Sequence, residues 1–441
     1  MQSLTDSALS TLELDTDLQR APARQERSLL ILAGLFVLIN HLALTLVRED
    51  SAGALWPVGV WMLCAGIGHI ALNLRLPRRD PLLFPLVMFL TGWGTNVVIR
   101  LVPSYTLRQT AWVVVGTAAL LVIIALPRDL RWLRRYRYTW LITGVSLLLI
   151  TILIGQNPAQ RGPRLWLWPG FGRLYYQPSE LLKILLVAFL ASYFSDHQRF
   201  MRDDSIQIGP WRAPSPAFLA PVLLMWGVCM VVLVWQRDLG AATLFFAVFM
   251  LMLYLASGQT LLWIGGLGLL LVSSAAAYSL FDVVALRVDI WWNPWPTSGG
   301  DSYQVVQSLM SISAGGIFGQ GIGQGYPAIV PLAHSDFAFA ALAEEWGLLG
   351  VIVVTMALAA LVVRGMRIAA RARQTFRALL AAGLSLMLGV QSLLIMGGVL
   401  KLVPLTGVTL PYVSYGGSSL LTGFVIAGLL LVLSGEDQAE L

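Results

Sequence analysis

Trp235-Gln236-Arg237-Asp238-Leu239-Gly240 interrupts an apolar run from Phe218 to Tyr254. A bilayer core takes about 20 helical residues, and that run is too long for one crossing. It therefore reads as two helices joined by a tight turn, with Arg237 and Asp238 at the turn. Ionisable groups at membrane depth are costly and usually mark a site. An end-of-helix cap or an interface anchor is the plainer reading of Asp238, and the turn alone does not separate the two.

The rest of the chain fits this frame. Of its 441 residues, 57% are hydrophobic and 12% charged, with a mean hydropathy of +0.75, whereas a soluble domain carries about 25% charged residues. The composition is that of an all-α polytopic membrane protein. The net charge of +6 is then a matter of topology and not a nucleic-acid signal. Cys64 and Cys229 lie in apolar runs, which argues against a disulfide framework. Residues 1–27 are polar, lack the pattern of a cleavable signal peptide and read as a disordered tail.

Twelve spans are expected: Ser28–Val47, Leu55–Leu74, Leu82–Leu101, Ala111–Leu126, Thr139–Gly155, Pro178–Phe194, Phe218–Trp235, Leu239–Ser257, Thr260–Leu280, Phe337–Val363, Leu379–Leu400 and Ser418–Ser434. If the N-terminus is cytoplasmic, 19 of the 29 Lys and Arg fall on cytoplasmic segments. The positive-inside rule then supports an even number of spans with both termini in the cytoplasm. Asp238 comes to the outer face.

Three outer segments stand out. The first is 156–177, with Trp166 and Trp168. The second is the long connection 281–336, which holds a candidate amphipathic surface helix at Tyr303–Leu309 and a glycine-rich turn at Gly315–Gly323. The third, 401–419, contains Ser414-Tyr415-Gly416-Gly417-Ser418. Paired glycines among hydroxyl residues at a helix start can offer N–H groups to an anion. There is no phosphate-binding loop of the nucleotide-hydrolase type and no His/Cys cluster with zinc spacing.

Glu180 and Lys183 share a helix face by their i, i+3 spacing. With Asp238, His334, Asp336, Glu344 and Glu345 they lie at outer helix ends. Their convergence in one cavity would allow deprotonation of a sugar hydroxyl and binding of a pyrophosphate, with or without a divalent cation. Glu180 and Lys183 serve equally well as a structural ion pair. Glu344 and Glu345 are adjacent, so a regular helix cannot aim both at one cavity. His334 reads equally as a satisfied loop histidine.

In their order and intervals, four stretches resemble the SEDS family, which includes RodA, FtsW and their sporulation relative. They are Trp166-Leu167-Trp168-Pro169-Gly170-Phe171 with Gln177-Pro178-Ser179-Glu180-Leu181-Leu182-Lys183; Gln236-Arg237-Asp238-Leu239-Gly240; Gly315–Gly321 leading to His334-Ser335-Asp336-Phe337 and Ala343-Glu344-Glu345; and Pro411–Ser419. The resemblance implies a ten-helix core that polymerises lipid II into glycan strands on the outer face of the bacterial cytoplasmic membrane by inverting glycosyl transfer. It implies Asp238 as the critical carboxylate, Glu180 and Lys183 as the helix-borne pair, and Mg²⁺ or Mn²⁺ near the acidic residues. It also implies a class B penicillin-binding protein, a transpeptidase, as partner.

Arg237 replaces the proline usual in such proteins, and Pro404-Leu405-Thr406-Gly407 lacks a lysine expected of the division branch, which favours an elongation role. The expected organisation is a tail at 1–27, an extra helical pair at 28–80, a core at 81–434 with its extracellular loop at 281–336, and a tail at 435–441. Competing readings are a lipid II flippase or other transporter, and a non-catalytic scaffold for a transpeptidase.

Overall fold

The computed structural model describes residues 2–48, 55–157, 164–168, 175–203, 205–208, 211–214, 223–224, 226–228, 230–231, 234–236 and 238–436. The helices that organise it are α1 (Gln2–Arg48), α2 (Trp56–Arg75), α3 (Leu83–Leu101), α4 (Thr106–Ala125), the short α5 (Arg131–Arg135), α6 (Arg137–Ile154), α7 (Pro178–Asp203), α8 (Leu239–Ser257), α9 (Thr260–Leu280), α10 (Asp282–Trp292), α11 (Tyr303–Gly315), α12 (Ala338–Arg371), α13 (Thr375–Val399) and α14 (Gly417–Glu436). Among the described residues, β structure is limited to the hairpin Ser205–Ile208 with Trp211–Pro214 and two isolated bridges.

Among the described residues, eleven helices are long and apolar enough to cross a membrane, and each matches one of the twelve expected spans. Of the remaining span, 218–235, half of the residues lie outside the described ones, and Arg237 lies outside them too. The centre is built from α7, α3, α14, α13 and α8, with α7 packed on α6, α8 and α13, and α14 on α4. By contrast α9 stands at the rim, with only 6% of its most apolar window buried.

Local sequence sets the ends that matter. Pro178 opens α7, where its missing N–H costs nothing. Asp238 caps α8, and Gly258 (φ 69°) closes it in the left-handed region, which a glycine enters without a Cβ clash. The helix expected at Tyr303–Leu309 runs on to Gly315; it packs on α12 and buries Val305, Val306, Ser308 and Ser311. The glycine-rich turn answers a break in α12 at Gly347 (φ 63°, ψ −161°). There Gln320 and Gly321 donate to the carbonyls of Glu344 and Glu345 (2.9 and 3.1 Å), while Leu348 and Leu349 donate to Gly316 and Ile317 (2.9 and 3.2 Å). The backbones meet so closely that a Cβ on Gly347 would lie 2.3 Å from Gly319 N.

The helix that holds the first expected span starts earlier than Ser28: α1 is helical from Gln2 onward, and its membrane-length stretch begins at Pro22. Glu26, assigned to a disordered tail, is fully buried. It takes Arg79 Nε and Nη2 at 2.7 and 2.6 Å, and His69 Nδ1 lies 2.6 Å from its carboxylate. An apolar core had room for this charge because its partner arrives from the α2–α3 connection. Removing one member of a buried pair typically costs about 3–5 kcal/mol. Arg79→Ala is therefore expected to lower the unfolding temperature of the purified protein clearly, and Glu26→Leu with Arg79→Met to recover most of the loss. An unchanged melting curve for Arg79→Ala would contradict this role.

Candidate active site

The connection 400–416 gathers the site, because the starts of three helices meet it. Gly240 is the first point. A Cβ there would lie 2.2 Å from Thr406 O, so the first turn of α8 rests directly on the Thr406–Gly407 backbone. Gln177 N donates to Ser418 Oγ at 2.8 Å, which ties the start of α7 to that of α14. Ser414 Oγ donates to Ser335 O (2.6 Å) and Tyr415 N to His334 O (2.7 Å), which binds the approach to α12 as well.

Asp238 is half-buried at this junction. Its Oδ1 accepts from Ala241 N (3.1 Å), the capping bond of α8. Its Oδ2 accepts from Gln177 Nε2 (3.2 Å) and Ser179 Oγ (3.1 Å), both at the start of α7. The cap reading and the site reading therefore hold together: one carboxylate caps a helix and is aimed by a second helix. A helix N-terminus also favours anionic groups.

Glu180 and Lys183 are buried one turn further in. Lys183 Nζ donates to Glu180 Oε1 (2.6 Å) and to Gln391 Oε1 of α13 (2.9 Å), and Gln391 Nε2 donates to Thr409 O (2.8 Å). The pair thus joins α7 to α13 and, through Gln391, to the same connection. Among the described residues, Glu180 Oε2 is buried with no hydrogen-bond partner. Burial, with Glu180 nearby, raises the neighbouring Tyr176 hydroxyl above its ordinary value, so Tyr176 is neutral and able to donate.

His334 packs its ring against Tyr105 and Tyr415, at centroid distances of 5.4 and 5.7 Å. Burial lowers its pKa, so the imidazole is neutral near pH 7. Asp336 belongs to a separate cavity of about 210 Å³ with Arg287, Trp291 and Lys401. Burial pushes its carboxyl up to about 6, against the pull of the Ser335 hydroxyl and Arg287. The folded protein therefore holds a proton that the unfolded chain releases near pH 3.8. This group favours folding fully below that pH, and its contribution is lost as pH rises toward about 6. Asp336→Asn is expected to flatten that part of the unfolding-temperature profile. A slope retained in the variant would assign it to another group.

Glu344 is not part of the Asp238 cluster. It accepts from Ser311 Oγ and from Tyr326 N (2.6 Å), and Glu345 pairs with Arg100 Nε at 2.8 Å. Arg100 also donates to the carbonyls of Gly323 and Gly325. Both glutamates hold the glycine-rich turn against α12. Gly417 packs on the Trp112 indole, where a Cβ would lie 2.0 Å from ring atoms; close packing accounts for this glycine without an anion. Gly416 is looser, with a Cβ position 3.2 Å from Thr409 Cγ2. The sequence reading missed Gln391, a lone amide in an apolar span, and Arg100, a lone cation at a span end; both were visible as isolated polar residues. It also passed over Gln177 and Ser179, although both stood in a quoted motif.

Among the described residues, no three His, Cys, Asp or Glu come together as a metal cage. The donors near Asp238 are one carboxylate, an amide and a hydroxyl. That set fits Mg²⁺, which is commonly bound by one or two carboxylates together with substrate phosphates and water.

A family model described as a cell cycle protein, covering FtsW, RodA and SpoVE, matches residues 82–439. The chain is 36% identical over 438 residues to the peptidoglycan glycosyltransferase RodA of Mycobacterium leprae, covering 95% of this chain and 92% of that one. It is 34% identical over 333 residues to a probable peptidoglycan glycosyltransferase FtsW of Geobacter metallireducens, covering 74% and 84%. Among solved structures, a chain from work on "Structural coordination of polymerization and crosslinking by a peptidoglycan synthase complex" matches with a TM-score of 0.68 at 25% identity, over 82% of this chain and 99% of that one. The Thermus thermophilus rod shape determining protein RodA has the same fold, with a TM-score of 0.58 at 23% identity over 82% and 98%.

Proposed function

The chain belongs to the FtsW/RodA/SpoVE family, and on that premise we infer that it is an elongation-type peptidoglycan glycosyltransferase using lipid II, a multi-pass protein of the bacterial membrane. Its site faces outward, with both termini in the cytoplasm, a topology supported by the arginine distribution.

Asp238 is the general base. The carrying observation is its carboxylate, half-buried at the start of α8 and aimed by Gln177 and Ser179. In the reaction the 4-hydroxyl oxygen of one disaccharide bonds to C1 of the other. Its proton passes to Asp238, the bond from C1 to the pyrophosphate breaks, and the electron pair leaves with undecaprenyl pyrophosphate. Glu180, Lys183 and Gln391 do not touch the reacting atoms; they fix α7 against α13 and so position Ser179 and Gln177. Mg²⁺ or Mn²⁺, when held by Asp238 with the side-chain oxygens of Gln177 and Ser179, would supply charge neutralisation. A transpeptidase of the class B penicillin-binding type is the partner, in keeping with the synthase complex to which the chain is similar.

The test is purified full-length chain in nanodiscs given lipid II, with and without its transpeptidase. Glycan strands on a gel are expected. Translocation of lipid II in vesicles with no polymer under either condition would reassign the chain to transport.

A further inference from the structure

The cavity that holds Asp336 has no role in the account above. It is bounded by α10, α11, the end of α13 and the connection 400–416, and its lining includes Arg287, Trp291, Gln304, Asp336 and Lys401. Two cations in a partly enclosed space of about 210 Å³ suit a small polyanion. The Arg287 guanidinium carries five N–H donors, and its described hydrogen bond is a long one, from Nη1 to Thr406 O at 3.4 Å.

Lys401 is the second observation. Its backbone sits at φ 59°, a left-handed conformation in which a residue with a side chain is strained. Such strain concentrates at functional positions. Trp291 Nε1 holds the Lys401 carbonyl at 3.2 Å and keeps this turn in place.

The cavity also adjoins the catalytic junction. The wall between them is the Thr406–Gly407 backbone. On one side Gly240, two residues past Asp238, presses on Thr406 O; on the other, a Cβ at Gly407 would lie 3.8 Å from Asp336 Oδ2 and 3.9 Å from Arg287 Nη2. A group in this cavity is thus one backbone width from the start of α8.

We propose that this cavity binds the pyrophosphate of the lipid-linked donor, with Arg287 and Lys401 as its ligands. The assignment rests on the lipid II reading and adds to it where the leaving group sits. As the bond from C1 to the pyrophosphate breaks, negative charge grows on the phosphate oxygen. Two fixed cations stabilise that charge more in the transition state than in the bound substrate. The forked guanidinium matches phosphate geometry, and the ammonium acts as a point charge. Asp336 is the one carboxylate in the lining; pushed up only to about 6 by burial, it is mostly ionised at pH 7, and Arg287 and Lys401 together still outweigh it by one positive charge.

The experiment measures binding of undecaprenyl pyrophosphate, and separately of inorganic pyrophosphate, to the full chain in nanodiscs. The variants are Lys401→Asn, Arg287→Gln and Arg287→Lys. Asparagine tolerates the left-handed conformation, so Lys401→Asn removes the charge and keeps the turn. About a tenfold weaker Kd is expected for Lys401→Asn and for Arg287→Gln, with Arg287→Lys intermediate. Inorganic pyrophosphate weakened by the same variants supports the site even if the chain makes no polymer, which separates this proposal from the polymerase reading. Unchanged Kd values in Lys401→Asn, with an unchanged unfolding temperature, would overturn it, whether or not Arg287→Gln folds.

Discussion

Asp238→Asn is expected to lower the rate of lipid II polymerisation by a factor of about 10²–10⁴, the usual contribution of a positioned acid or base. The protein should still fold. Asparagine is as good an N-cap as aspartate, so α8 keeps its start. The amide oxygen can face either Ala241 N or the Gln177–Ser179 pair, but not both, so one contact is lost at a cost of about 1 kcal/mol. Asp238→Glu keeps the charge but moves it by one methylene from the hydrogen bonds that aim it, and a large loss is expected there too. Rates of both variants, with melting curves recorded on the same preparations, check this. Polymer made by Asp238→Asn at the wild-type rate would remove the base from this position.

Lys183→Met is expected to be the most damaging single change to stability near the site. The ammonium is buried between Glu180 and Gln391. Without it the Glu180 carboxylate, one oxygen of which already lacks a partner among the described residues, is a buried charge with no described counterion. That typically costs about 3–5 kcal/mol. The double variant Glu180→Leu with Lys183→Met removes both charges and is expected to recover most of the stability, since apolar replacement of a whole buried pair is often neutral or better. Activity then separates the two roles left open by the sequence. A stable, active double variant assigns the pair to packing alone. A stable variant with a lower turnover rate and an unchanged KM assigns it to positioning the α7 start around Asp238.

The legible parts of this protein were those written locally. Apolar length gave the spans, and the interruption at Trp235–Gly240 gave Asp238 its place at a helix start. What stayed hidden depends on contacts across long separations. Glu344 looked like a site residue because it is acidic and near a helix start. Its actual partners, Ser311 and Tyr326, are dictated by the break at Gly347, and no local pattern announces that a glycine-rich turn will fill a gap in a helix thirty or so residues later. Glu26 was read as part of a solvated tail because its neighbours are polar; Arg79 and His69, which make its burial tolerable, are more than forty residues away. The pairing of Asp238 with Gln177 and Ser179 likewise joins two motifs that the sequence shows only side by side in order.

The central claim is that Asp238 takes a proton and does not merely hold substrate. Lipid II binding and strand synthesis measured together on Asp238→Asn in nanodiscs test it most directly. The account predicts binding within a few-fold of wild type and almost no polymer. Binding lost in proportion to polymer, or polymer formed at the wild-type rate, would contradict it.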